Sequence, residues 1–172
     1  MKKLVTGIVL SLVSPALAAA AGGNLYAAAN GGFDKNLAGW TEPITGEVRH
    51  DPAAGEPAPG ALAASAPSGS FSVAGPCVAV APSTAYAASV RVRPVAGTIY
   101  VCGLSSFEHS DAACERDLSP FVAMARPLDD GWQTVTATGD TAATTRSVRL
   151  LLNCSGEPGF AVRFDDVVLA GP

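Results

Sequence analysis

The sequence predicts an all-β chain, an antiparallel two-sheet β-sandwich of about eight or nine strands. Three observations carry that prediction. Apolar side chains recur with a period of two through most of the chain after residue 24. Clusters of Gly, Pro, Asn and Asp interrupt those runs at short intervals. With 18 Gly and 13 Pro in 172 residues, no stretch sustains a helical period with caps at both ends.

Residues 1–20 stand outside the fold. Lys2 and Lys3 precede an apolar run from Leu4 to Leu17, and Ala16-Leu17-Ala18 is a small-x-small cleavage pattern. This is a signal peptide, with cleavage expected before Ala19. The run is too short for a comfortable membrane span, and no later run approaches that length. A soluble exported protein, secreted or periplasmic and without membrane insertion, is the expectation. Residues 21–172 are then one domain, long enough for its own core.

Ala85 to Arg93 places Tyr86, Ala88, Val90 and Val92 on one face and Arg91 on the other. Arg146 to Cys154 does the same with Val148, Leu150 and Leu152 against Arg149, Leu151 and Asn153. Further strands are expected at 24–28, 45–49, 71–80, 98–106, 121–127, 132–138 and 160–169. Turns fall at Asn30-Gly31-Gly32, Ala81 to Thr84, Pro94 to Gly97, Asp129-Asp130-Gly131, Gly139-Asp140 and Gly156 to Gly159. Residues 51–70 are almost wholly Pro, Ala, Gly and Ser, and predict one long surface loop between two strands. The order suits a jelly roll.

Composition excludes several functions. The formal charge is −4, from 11 basic and 15 acidic residues with no basic run, so a nucleic-acid partner is not expected. The histidines are His50 and His109 only, and no Gly-x-Ser-x-Gly elbow exists. The Glu residues lie mostly in turn-like contexts, which argues against a glycosidase carboxylate pair. No catalytic residues are assigned, and the protein is not expected to be an enzyme. Phe107-Glu108-His109-Ser110-Asp111 collects ligand-type side chains but reads as a polar loop pinned by a disulfide. The four Cys (Cys77, Cys102, Cys114, Cys154) contain no Cys-x-x-Cys pair. In an exported chain they predict two disulfides, and spacing leaves all three connectivities open.

The ends of the chain carry a resemblance. Asn24-Leu25-Tyr26, Asn30-Gly31-Gly32-Phe33-Asp34 and Leu37-Ala38-Gly39-Trp40 open it, and Phe164-Asp165-Asp166-Val167-Val168-Leu169 closes it. Cys77 to Pro82, Tyr86, Arg91 and Trp132 to Val135 continue the pattern between them. This resembles the secreted carbohydrate-binding modules of the galactose-binding-like jelly-roll group, the kind attached to bacterial cellulases and xylanases. Three departures stand out: Asp34 replaces the usual Glu, the segment from Asp51 to Ser70 is longer and richer in Pro and Ala than the family pattern, and a catalytic domain is not expected within these 172 residues.

The resemblance implies a non-catalytic protein that binds a polysaccharide or other glycan outside the cytoplasm. The rival reading is a structural or adhesive domain of the same fold that contacts another exported protein. The resemblance also implies a structural calcium ion, with Asp34 and Asp165 as metal ligands, because Ca²⁺ takes oxygen donors from carboxylates and carbonyls. The same residues also suit a turn and a bulge. It places Phe33, Trp40, Tyr86, Trp132 and Phe164 in the core. Tyr26, Phe71, Tyr100, Phe107, Phe121 and Phe160 are left for a ligand. Arg91, Tyr100 and Arg149 are the candidate ligand-binding residues, expected to share an outward face. That face also reads as arginines that merely keep a sheet soluble. In such a sandwich the strands of Cys102 and Cys154 are neighbours, favouring Cys102–Cys154 with Cys77–Cys114 over Cys102–Cys114 with Cys77–Cys154.

Overall fold

Gly46 divides the chain between two sheets. Its φ of +78° is open to glycine at no steric cost, and a Cβ there would meet the Ser65 carbonyl oxygen at 2.6 Å. The single strand expected at 45–49 is therefore two, β1 (Pro43–Thr45) and β2 (Glu47–Asp51), one in each sheet. The computed structural model describes residues 23–40, 42–115, 121–125 and 130–172; the predicted leader lies outside them.

The remaining strands are β3 (Ala61–Ala66), β4 (Ser70–Ala79), β5 (Ala85–Ala96), β6 (Ile99–His109), β7 (Phe121–Ala125), β8 (Gln133–Asp140), β9 (Ser147–Gly156) and β10 (Phe160–Ala170). All pair antiparallel in two five-stranded sheets. The first sheet runs β1-β4-β9-β6-β7 and the second β2-β3-β10-β5-β8. No helix occurs among the described residues. The sandwich is the jelly roll that the alternation predicted.

Alternating residues of both sheets meet between them. Val90 and Val92 of β5, Leu150 and Leu152 of β9, and Phe164 of β10 are buried as their period requires. Tyr26, Phe33 and Trp40 close the core from the chain's start, Phe33 edge-on to Trp40 at 5.5 Å between ring centres.

Three expectations fail here. Residues 51–70 are not one loop, because Ala61–Ala66 is a strand hydrogen-bonded on both sides and buried at every position but Ser65. Its small side chains carry no β-branched or aromatic signal, so a buried strand reads as linker. The strand at 24–28 reduces to one bridge, Asn24 to Ala170. The Asn24 side chain accepts from the Tyr26 N–H at 2.9 Å, and its turn replaces a ladder. Trp132 is half-buried rather than core, while Tyr26, Phe71 and Phe160 are core rather than free. The disulfides are Cys77–Cys114 and Cys102–Cys154, as favoured, and both staple the first sheet.

Candidate functional site

A bulge in β4 builds the cleft. The β4–β9 register shifts between Ala74 and Cys77, so Gly75 and Pro76 leave the ladder. The buried Tyr26 hydroxyl fills the gap. It donates to the Pro76 carbonyl at 2.8 Å and accepts from the Leu150 N–H at 2.8 Å. Burial pushes its pKa upward, so it stays a donor at every ordinary pH. Gly75 is required because a Cβ there would lie 2.5 Å from the Trp40 ring. Trp40 in turn donates its ring N–H to the Ala29 carbonyl at 3.3 Å. The buried aromatic pair thus holds a bent backbone at the surface.

That bend floors a cleft of about 480 Å³, lined by Gly39, Glu42, Ile44, Ala74, Gly75, Pro76 and Arg149. Arg149 pairs in register with Cys77 on one side and Phe107 on the other. Its Nε is buried and has no hydrogen-bond partner among the described residues. The Arg91 Nε on the second sheet is in the same state. Ile44, 65% exposed, offers an apolar wall. Along the same outward face lie Leu151, Asn153 and Ser105, with Asn153 donating to the Ser105 hydroxyl at 3.1 Å.

The three residues expected to share a face are not brought together. Tyr100 is on the first sheet and 58% exposed, but it lies seven positions along β6 from Phe107, roughly 23 Å of strand. Arg91 lies on the second sheet, ion-paired with Glu56 at 2.8 Å. Only Arg149 remains at the cleft. Phe107, expected in a loop, is half-buried on β6 beside it. The Phe107–Asp111 cluster is mostly strand. Glu108 is buried and accepts from the Ala142 N–H and the Thr145 hydroxyl, and Asp111 accepts from the Ala113 and Glu115 N–H groups. These carboxylates pin loops.

At the opposite end, Asp165 is 2% exposed. It accepts from the Glu56 N–H at 2.6 Å and the Asp166 N–H at 2.7 Å. Burial raises its carboxyl to about 6, opposed by those two hydrogen bonds and reinforced by the carboxylates of Asp166 and Asp34. Asp34 lies close enough for its charge to act on Asp165. Among the described residues, no group of three or more His, Cys, Asp or Glu side chains converges on a metal position.

No family model matches the sequence, and no curated protein matches it. Solved structures do. A family 16 carbohydrate-binding module is similar with a TM-score of 0.59 at 16% identity, covering 82% of this chain and 96% of the module. The CBM22-2 xylan-binding domain from Paenibacillus barcinonensis Xyn10C gives 0.62 at 13%, covering 83% and 98%. TmCBM61, solved with β-1,4-galactotriose, gives 0.58 at 14%, covering 83% and 96%. At these identities the likeness is one of fold: the chain has the jelly-roll architecture of carbohydrate-binding modules.

Proposed function

We propose that the protein is a non-catalytic, extracytoplasmic glycan-binding module whose ligand lies across the outer face of the first sheet, centred on Arg149. The observation that carries this is the cleft of about 480 Å³ at the β4 bulge, where Arg149 and Glu42 bring charged hydrogen-bonding groups beside the exposed apolar Ile44. Glu42, Asn153 and Ser105 supply acceptors and donors for hydroxyls, while Ile44 and Phe107 supply apolar surface for sugar C–H groups. Fold neighbours that include a xylan-binding domain and a galactotriose complex support a polysaccharide ligand. Two disulfides and no free cysteine among the described residues support an oxidising compartment.

A structural calcium ion belongs to the same proposal. Asp34 and Asp165 would hold it, and its charge would relieve the crowded carboxylates of Asp34, Asp165 and Asp166. A second reading, docking of another exported protein, is favoured by Ile44, which is exposed on the edge strand β1. A glycan array with the oxidised protein, repeated with Arg149→Ala and with a chelator, tests these readings. Glycan binding lost in Arg149→Ala supports the first. Absence of any glycan signal from folded protein favours protein docking. Melting temperature with and without calcium tests the metal.

A further inference from the structure

The second sheet has a groove of its own, on the face turned away from the cleft. It holds about 190 Å³ and runs over β3 between β2 and β10. Two cross-strand rows build it. In one, Arg49, Ala63 and Arg163 are register partners; in the other, Glu47, Ser65 and Ala161. The β3 members are small, so Ala63 and Ser65 make a floor and the longer side chains of β2 and β10 make walls. Val95, 47% exposed, closes the β5 side. This arrangement accounts for an Ala-rich β3, since a larger residue at Ala63 would fill the trough.

The two ends of the groove differ in charge. Arg49 and Arg163 stand two strands apart, roughly 10 Å between their backbones. Asp51 accepts from Arg163 Nε at 3.0 Å and Nη2 at 2.7 Å, which fixes that guanidinium and leaves its Nη1 edge open. Arg49 has no ion-pair partner among the described residues. Arg93, the register partner of Arg163 on β5, extends the row. At the other end Glu47 takes the Ser65 hydroxyl at 3.4 Å and remains exposed.

We infer that this groove is a second binding site, one that takes a single carboxylate-bearing sugar residue of an acidic polysaccharide. The carboxylate sits between Arg49 and Arg163, where a guanidinium fork matches its geometry. The ring's C–H groups cover Ala63, Ala161 and Val95. Its far hydroxyls meet Glu47 and Ser65. A ligand with anionic groups at both ends, such as a sulfated glycan or a nucleic acid, meets Glu47 and is disfavoured. The site lies on the sheet opposite the Arg149 cleft, so either site fails without the other.

The test is calorimetric titration of the oxidised protein with a trigalacturonate, its methyl ester and a heparin tetrasaccharide. Trigalacturonate binds, and esterification weakens binding by at least about tenfold. Arg49→Gln costs a similar factor, Arg49→Lys less, and Arg149→Ala nothing. Ala161→Leu, which fills the groove without touching a charge, also abolishes binding; circular dichroism checks that each variant is folded. The inference is overturned if folded wild-type protein ignores trigalacturonate. It is equally overturned if Arg49→Gln and Ala161→Leu bind it normally, or if the ester or heparin binds as well.

Discussion

The two sheets of this sandwich handle their outer faces in opposite ways. The first is covalently stapled: Cys102–Cys154 ties β6 to β9, and Cys77–Cys114 ties β4 to the segment after β6. Its ladder is broken at Gly75 and Pro76, and its surface guanidinium at Arg149 is unpaired at Nε. The second sheet has no disulfide among the described residues. Two of its surface arginines are ion-paired within the protein, Arg163 with Asp51 and Arg91 with Glu56. The break at Gly75 and Pro76 adjoins Cys77, whose disulfide holds the strand there, whereas the second sheet, with register shifts of its own in β10 and a buried Arg91 Nε without a partner, relies on ion pairs instead of cross-links.

The largest expected effect comes from removing the staples. Each disulfide closes a long segment, 37 and 52 residues, and restrains the unfolded chain by about 4 kcal/mol on the loop-entropy view. Cys102→Ala with Cys154→Ala should lower stability by about that much in urea denaturation and loosen the first sheet before the second. Equal loosening of both sheets by amide exchange would break the comparison.

Next comes Tyr26→Phe. It leaves the Pro76 carbonyl and the Leu150 N–H without their partner, and should cost about 2–4 kcal/mol. Because the bulge is held by that hydroxyl, glycan affinity at the cleft should fall with stability.

Acid titration sharpens the comparison from the second sheet, where two carboxylates respond with opposite sign. The folded pKa of Asp165 is about 6, against 3.8 ordinarily. Between roughly pH 4 and 6 the folded chain therefore keeps a proton that the unfolded chain has lost. Stability from this group falls as pH rises through that window, by an order of 2–3 kcal/mol. Asp51 is held below the ordinary value chiefly by its hydrogen bond from Arg163. Its contribution is present above about pH 4 and is lost on further acidification. Melting temperatures in chelator from pH 2 to 8 should pass through a maximum near pH 4–5. Added calcium should remove the decline above it.

The smallest effect is Arg91→Gln. Its partner Glu56 is 46% exposed, so the pair is screened and its loss should change stability by less than about 0.5 kcal/mol.

Much of the fold was legible because alternation is a local signal. β5 and β9 bury the residues their period names, and the turn clusters mark most strand ends. What failed depended on non-local partners. Nothing in Ala61–Ala66 distinguishes a strand from a linker until β2 and β10 pair with it on either side. Tyr26 resembled a free aromatic ring because its role, bridging a bulge fifty residues away, leaves no mark nearby. Of the three residues expected to share a face, Arg149 alone lines the cleft. Arg91 shares its outward phase but belongs to the other sheet, which sheet order decides and sequence periodicity does not. The Asn24 to Ala170 bridge joins the two ends of the chain, and the charge of Asp34 acts on Asp165.

Glycan binding at the outer face of the first sheet is best tested by calorimetric titration of wild type and Arg149→Ala with the neutral oligosaccharide that scores highest on an array. The prediction is a loss of at least about tenfold in affinity with an unchanged melting temperature, because Arg149 lines the cleft and its Nε makes no hydrogen bond within the fold among the described residues. Unchanged affinity in a folded Arg149→Ala protein would contradict it.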